Sequence, residues 1–221
     1  MHSGNPGAVI FDMDGVLVNS EPRHERAYLE VVKAIGREKD HGLRFADYIG
    51  GSDKDLWSDF IRRNHPSQTL EELLAMKRAR TIEILRREQP IFDGVPEVIR
   101  KTAALCPLAV ASGSDQEIVE AVLSLKDLRP HFTVVVSSSD VERGKPAPDI
   151  FLRAAELLKV PPAQCWVIED SKPGVAAGKA AGMRVVAITN TYPASELKQA
   201  DHIVATYGEI EVLLTRATCG T

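Results

Sequence analysis

The sequence predicts an α/β fold: a doubly wound, Rossmann-like parallel sheet with an α-helical domain inserted after its first strand. Short apolar runs recur at Ala8 to Phe11, Pro107 to Ala111, Thr133 to Val136, Cys165 to Ile168 and Val185 to Ile188, with a weaker one at His202 to Ala205. Helical patterns at Asp115 to Leu125, Pro148 to Leu158 and Gly174 to Ala181 separate the later runs, which is the alternation of βαβ crossovers. The stretch between the first run and the second holds no convincing strand, although connections usually take about 2 to 6 residues. An inserted domain over residues 19–89 accounts for it, leaving residues 1–18 and 90–221 as the core.

Within the insert, His24 to Ile35, Asp53 to Arg63 and Leu70 to Arg87 carry apolar residues at helical spacing. Gly50-Gly51 and Asn64-His65-Pro66 break the pattern between them. The two crossings, near Val18 to Pro22 and Gln89 to Gly94, are placed to act as a hinge pair.

Composition excludes several classes of function. Hydrophobic residues make up 44%, charged residues 26% and the formal net charge is -4, so no basic excess exists to neutralise a nucleic-acid backbone. The first seven residues lack a cationic start and an apolar stretch, and no run approaches the roughly 18 apolar residues that span a bilayer. No nucleic-acid or membrane partner is expected; a cytoplasmic monomer is. Cys106, Cys165 and Cys219 are odd in number and widely spaced, which supports neither a disulfide framework nor a zinc site. Cys106 and Cys165 read as buried thiols at strand edges, and Trp57 and Trp166 as packing residues.

The chemistry gathers where strands end. Ala8-Val9-Ile10-Phe11 runs into Asp12-Met13-Asp14-Gly15. In an open parallel sheet, ligands bind beyond the carboxyl ends of the strands, so carboxylates emerging there meet substrate. Alternation turns Asp12 and Asp14 to the same side, and a divalent cation, Mg²⁺, is the natural way to hold two such charges together.

Three later segments add polar groups at comparable places. Val110-Ala111-Ser112-Gly113-Ser114 presents a hydroxyl and small residues ahead of a helix, so Ser112 and the Gly113 backbone can receive a phosphate. Ser114 reads as a cap for that helix. In Gly144-Lys145-Pro146-Ala147-Pro148 the prolines stiffen the backbone around a lysine suited to neutralising a phosphate oxygen and an attacking carboxylate together. Glu169-Asp170 ends the fourth run with a second acidic pair; Asp170 reads as a direct metal ligand and Glu169 as the holder of a coordinated water. Lys77, Arg78 and Arg80 read as basic residues on a helix facing water.

Taken in order, Asp12-Met13-Asp14-Gly15-Val16, Ser112, Gly144-Lys145-Pro146 and Glu169-Asp170 resemble the four motifs of the haloacid dehalogenase superfamily. Phe11 to Pro22 and Gly144 to Phe151 are similar to its subgroup of sugar-phosphate phosphatases and β-phosphoglucomutases with a helical cap. The resemblance implies an aspartyl-phosphate formed on Asp12, Asp14 as general acid and base, and Mg²⁺ bound by Asp12, the Asp14 backbone carbonyl and Asp170. It favours phosphoryl transfer over dehalogenation, because a leaving halide needs no acid at position 14. Water as acceptor gives a phosphatase of small phosphorylated metabolites, the preferred reading; a second sugar hydroxyl gives a mutase. His24 stands where the hinge histidine of the mutases falls, whereas Asp53 stands where their substrate-binding arginine is expected. Glu21, near the first hinge, is a further possible substrate contact.

Overall fold

The computed structural model describes residues 6–39, 41–48 and 52–218. The chain divides into two compact units, residues 1–19 with 91–221 and residues 20–90. Gly50-Gly51 and Cys219 lie outside the described residues.

The larger unit is built on six parallel strands, β1 (Ala8–Phe11), β2 (Leu108–Ala111), β3 (Val134–Val136), β4 (Cys165–Glu169), β5 (Arg184–Ile188) and β6 (His202–Val204), in the order β3-β2-β1-β4-β5-β6. Order reverses between β1 and β4, the switch point at which doubly wound sheets open a crevice. Phe11 pairs with Val110 on one side and Ile168 on the other, so the segments that follow β1, β2 and β4 leave the sheet side by side. Strands β1, β2 and β4 are buried throughout, which is why they read as continuous apolar runs rather than alternating ones.

Helices α4 (Val95–Ala103), α5 (Gln116–Leu123), α6 (Asp149–Leu158), α7 (Lys172–Ala180) and α8 (Tyr207–Thr218) complete this unit. Ile150, Phe151 and Ala154 of α6 pack with Ile10, Val167 and Val185 in one buried cluster, which also takes in Cys165; Cys106 is buried as well. The sequence reading did not pick out α4 or α8. It also carried α5 two residues too far, because Ser124 takes the C-cap position and Leu125 opens a separate 3-10 turn.

The smaller unit holds α1 (Glu21–Ala34), α2 (Asp53–Asn64) and α3 (Leu70–Glu88). Tyr28, Trp57, Phe60 and Leu73 form its core. A capping box joins Thr69 to Glu72 at the start of α3, and His65 ends α2 in left-handed backbone. The expectation that Lys77 faces water is corrected. Position 77 shares a face of α3 with Leu73, Thr81 and Ile84, so it points inward. Its side chain is 1% exposed, and its ammonium is satisfied by the Asp53 carboxylate and by His24 Nδ1 at 3.2 Å. Among the described residues no helix is long and apolar enough to cross a membrane.

Candidate active site

Asp12 follows β1 directly, and its backbone N–H still donates to the Ile168 carbonyl at 2.9 Å, so the sheet ladder fixes where the acid stands. The chain then folds into a tight turn. The N–H groups of Val16, Leu17 and Val18 all donate to the Met13 carbonyl, and the Gly15 N–H returns to the Val18 carbonyl at 2.9 Å. Gly15 has φ +77°, and a Cβ there would fall 1.9 Å from Asp170 Oδ2. Only glycine permits both the turn and the approach of Asp170.

Asp12 and Asp14 diverge in company despite their spacing. Lys145 Nζ donates to Asp12 Oδ1 at 2.6 Å and to Glu169 Oε1 at 2.6 Å. Asp14 Oδ2 instead accepts from the Ser114 hydroxyl at 2.8 Å and the Ser112 hydroxyl at 3.2 Å. The reading of Ser114 as a helix cap is therefore corrected: α5 begins one residue later, Asp115 takes the N-cap position, and the Ser114 hydroxyl turns to Asp14. Ser112 is fully buried and its Oγ accepts from the Ser114 N–H at 3.1 Å. Gly113 borders open space.

Glu169 is held on every side. Its Oε2 accepts from the N–H groups of Asp170 and Ser171 and from the Ser171 hydroxyl, at 2.8–2.9 Å. The same Ser171 hydroxyl caps α7 by accepting from the Gly174 N–H. A Cβ on Gly174 would meet Glu169 Oε1 at 1.6 Å, so the first turn of α7 must carry glycine for Glu169 to fit.

Carboxylate oxygens of Asp12, Glu169 and Asp170 lie within 4.8 Å of one another, all three residues being buried. Burial pushes Asp12 up to about 8 against the opposing pull of Lys145, with Glu169 and Asp14 adding to the rise. Burial followed by Glu169 and Asp12 pushes Asp170 up to about 9, while Thr191 and Lys145 pull it down. Burial works against the charged Lys145, but Asp12 and Glu169 outweigh it and raise its pKa. One ammonium thus faces three carboxylates. A buried, oxygen-only donor set with excess negative charge is what a hard divalent cation takes, so these residues fit Mg²⁺.

The structure brings Asp12, Asp14, Ser112, Gly113, Lys145, Glu169 and Asp170 into the larger unit's strand ends. His24 and Glu21 belong to the helical unit, where His24 is buried beside Lys77 and Glu21 opens α1. Sequence reasoning missed Ser171, and it missed Asn190, Thr191 and Tyr207. Asn190 Nδ2 donates to the Gly15 carbonyl at 2.8 Å, Tyr207 Oη donates to the Val16 carbonyl at 2.7 Å, and Thr191 Oγ1 stands 2.8 Å from the position of a Cβ on Gly15. No motif marks these three residues in the sequence.

Gly15→Ala and Gly174→Ala are each expected to lower stability by about 2–3 kcal/mol, which for a chain of this size is roughly 5 °C or more in Tm. Gly113→Ala, where nothing lies within 4 Å of the added methyl, should stay within about 0.5 kcal/mol of wild type. Thermal melts decide it; equal melting temperatures for all three variants would mean that the close approaches relax without cost.

A family model described as haloacid dehalogenase-like hydrolase matches residues 6–182. Hexitol phosphatase B of Escherichia coli (strain K12) is 34% identical over 189 residues, 82% of this chain and 82% of that protein. Fructose-1-phosphate phosphatase YqaB of the same strain is 33% identical over 178 residues, 80% of this chain and 94% of that one. Among solved structures, CbbY from Rhodobacter sphaeroides in complex with xylulose-(1,5)bisphosphate superposes with a TM-score of 0.81 at 26% identity, over 92% of this chain and 96% of its own.

Proposed function

The chain belongs to the haloacid dehalogenase-like hydrolases, and from that premise we propose that it is a Mg²⁺-dependent phosphatase of small sugar phosphates acting through an aspartyl-phosphate on Asp12. The observation that carries the reading is the split environment of the two acids: Asp12 is paired with a lysine, and Asp14 is held by hydroxyls. Two carboxylates in such different company take different roles.

In this reading Ser112 and the Gly113 backbone receive the phosphoryl oxygens, and Lys145 screens them from the Asp12 carboxylate. An Asp12 oxygen attacks phosphorus, the bond from phosphorus to the ester oxygen breaks, and Asp14 gives its proton to the departing alkoxide. Asp14 then takes a proton from a water whose oxygen attacks the same phosphorus, which releases inorganic phosphate and restores Asp12. Asp12, Asp170 and the Asp14 backbone carbonyl would hold Mg²⁺, which supplies charge neutralisation at the phosphoryl group. Glu169 fixes Lys145. The helical unit is the cap that selects substrate, and the pairing of Lys77 with Asp53 rather than with an arginine-bearing site favours water as acceptor over a second sugar hydroxyl. The phosphatase names of the two relatives support the same choice.

Purified protein should release inorganic phosphate from p-nitrophenyl phosphate and from hexose or hexitol phosphates in Mg²⁺, and stop in EDTA. No turnover across a broad phosphometabolite panel by folded protein would end the proposal. Conversion of β-glucose 1-phosphate to glucose 6-phosphate in the presence of the 1,6-bisphosphate would replace phosphatase by mutase.

A further inference from the structure

The turn after Asp12 and the acid at Asp170 come from different strands, yet both meet residues that follow β5. Beyond β5, Asn190 Nδ2 donates to the Gly15 carbonyl at 2.8 Å and to Tyr207 Oη at 2.9 Å. Tyr207, the first residue of α8, donates its own hydroxyl to the next carbonyl, that of Val16, at 2.7 Å. Burial pushes the Tyr207 phenol up, so it remains a donor across the ordinary pH range. The ring is set by Phe92, 6.2 Å between centroids, and by Gly94, where an added Cβ would sit 3.2 Å from Tyr207 Cβ. Adjacent to Asn190, Thr191 Oγ1 faces the same space over Gly15 as Asp170 Oδ2, the two atoms standing 2.8 and 1.9 Å from the position of a Cβ there.

We infer that Asn190, Thr191 and Tyr207 are positioning residues for the cation site, holding the Asp14 to Val16 backbone and the Asp170 carboxylate in one fixed relation. The inference rests on the reading of Asp12, Asp170 and the Asp14 carbonyl as the Mg²⁺ ligands. Two neighbouring carbonyls, Gly15 and Val16, are each capped, one by Asn190 beyond β5 and the other by Tyr207 at the start of α8. Their capping fixes the peptide plane just before them, which carries the Asp14 carbonyl. Met13 closes the turn from within but does nothing for these outward-facing groups.

The bonds have little to do with overall stability. Asn190 and Thr191 lie at the surface, where a hydrogen bond contributes little to stability. A small hard cation is far less tolerant. Mg²⁺ demands near-ideal octahedral geometry, and loss of an outer partner typically weakens metal binding or activity by about 10- to 100-fold.

The test is calorimetric titration of Mg²⁺ into the full chain without substrate, alongside thermal melts and turnover as a function of Mg²⁺ concentration. Thr191→Val and Asn190→Ala should each raise the Kd for Mg²⁺ about 10-fold. Turnover in both should return towards wild type at saturating Mg²⁺, and Thr191→Ser should restore the affinity. Tyr207→Phe should follow Asn190→Ala. Surface placement of Thr191 and Asn190 keeps their variants folded, so the outcome does not depend on Tyr207. Folded variants with wild-type Mg²⁺ affinity would overturn the clamp and leave the phosphatase reading standing. A wild-type chain that takes up no Mg²⁺ while still releasing phosphate would overturn the clamp and the metal assignment together.

Discussion

Asp12→Asn is expected to reduce phosphate release by roughly 10⁴-fold or more in a protein that still folds, because the substitution removes the attacking atom's charge and little else. Asparagine matches aspartate in shape, and its carbonyl oxygen can still accept from Lys145, whose Nζ stands 2.6 Å from Asp12 Oδ1. The surrounding ladder bond from the residue's own N–H to Ile168 is untouched. In the metal-free protein the variant should melt no lower than wild type. Burial already disfavours the ionised form of Asp12, and an amide relieves the repulsion from Glu169 and Asp170. The signature is therefore a separation of effects: activity collapses while Tm in EDTA holds or rises. Phosphate release by Asp12→Asn within a factor of about ten of wild type would show that another group attacks phosphorus.

The sequence made the sheet and its acids legible for one physical reason. Buried parallel strands must be apolar along their whole length, so the point where Ala8–Phe11 or Cys165–Ile168 stops being apolar marks the strand end, and the acids found there are already located. Ser112 and Lys145 followed from the same logic, since small residues and prolines mark backbone with little freedom. Elements without that contrast were not legible. Helix α4 is short and starts behind Gly94 with Pro96 in its first turn, in a region that reads as the return from the insert. Helix α8 follows the weakest strand. Ser114 and Lys77 were misread because local rules, capping and the polarity of lysine, were outvoted by tertiary partners, Asp14 for one and Asp53 with His24 for the other. Asn190 and Tyr207 donate to backbone carbonyls far away in the chain, and nothing in their local spacing signals that.

Lys145→Met should be damaging twice, to turnover and to stability, and the second effect should depend on pH. Methionine preserves most of the side chain's length and its contact with Phe151, over which Nζ stands at 5.0 Å, but leaves Asp12, Glu169 and Asp170 without their cation. Removing one partner of a buried ion pair typically costs about 3–5 kcal/mol, and removing a cationic donor aimed at developing charge costs about 10²–10³-fold in kcat. The direction with pH follows from proton uptake. Asp12 and Asp170 titrate near 8 and 9 in the folded metal-free protein against 3.8 as the ordinary value, so between about pH 4 and 9 the folded state binds more protons than the unfolded one. Stability held by these groups is full below about pH 4 and is lost as pH rises through 8 to 9. Wild type in EDTA should accordingly melt lower at pH 8 than at pH 5 on this account, and Mg²⁺ should flatten the difference. Loss of Lys145, which pulls the Asp12 pKa down, extends the protonated window upward and makes the variant's deficit larger at pH 8 than at pH 5. Paired melts of both proteins at the two pH values, with and without Mg²⁺, measure this directly. A deficit that is equal at pH 5 and pH 8 would show that Lys145 does not stabilise the fold by balancing the carboxylates.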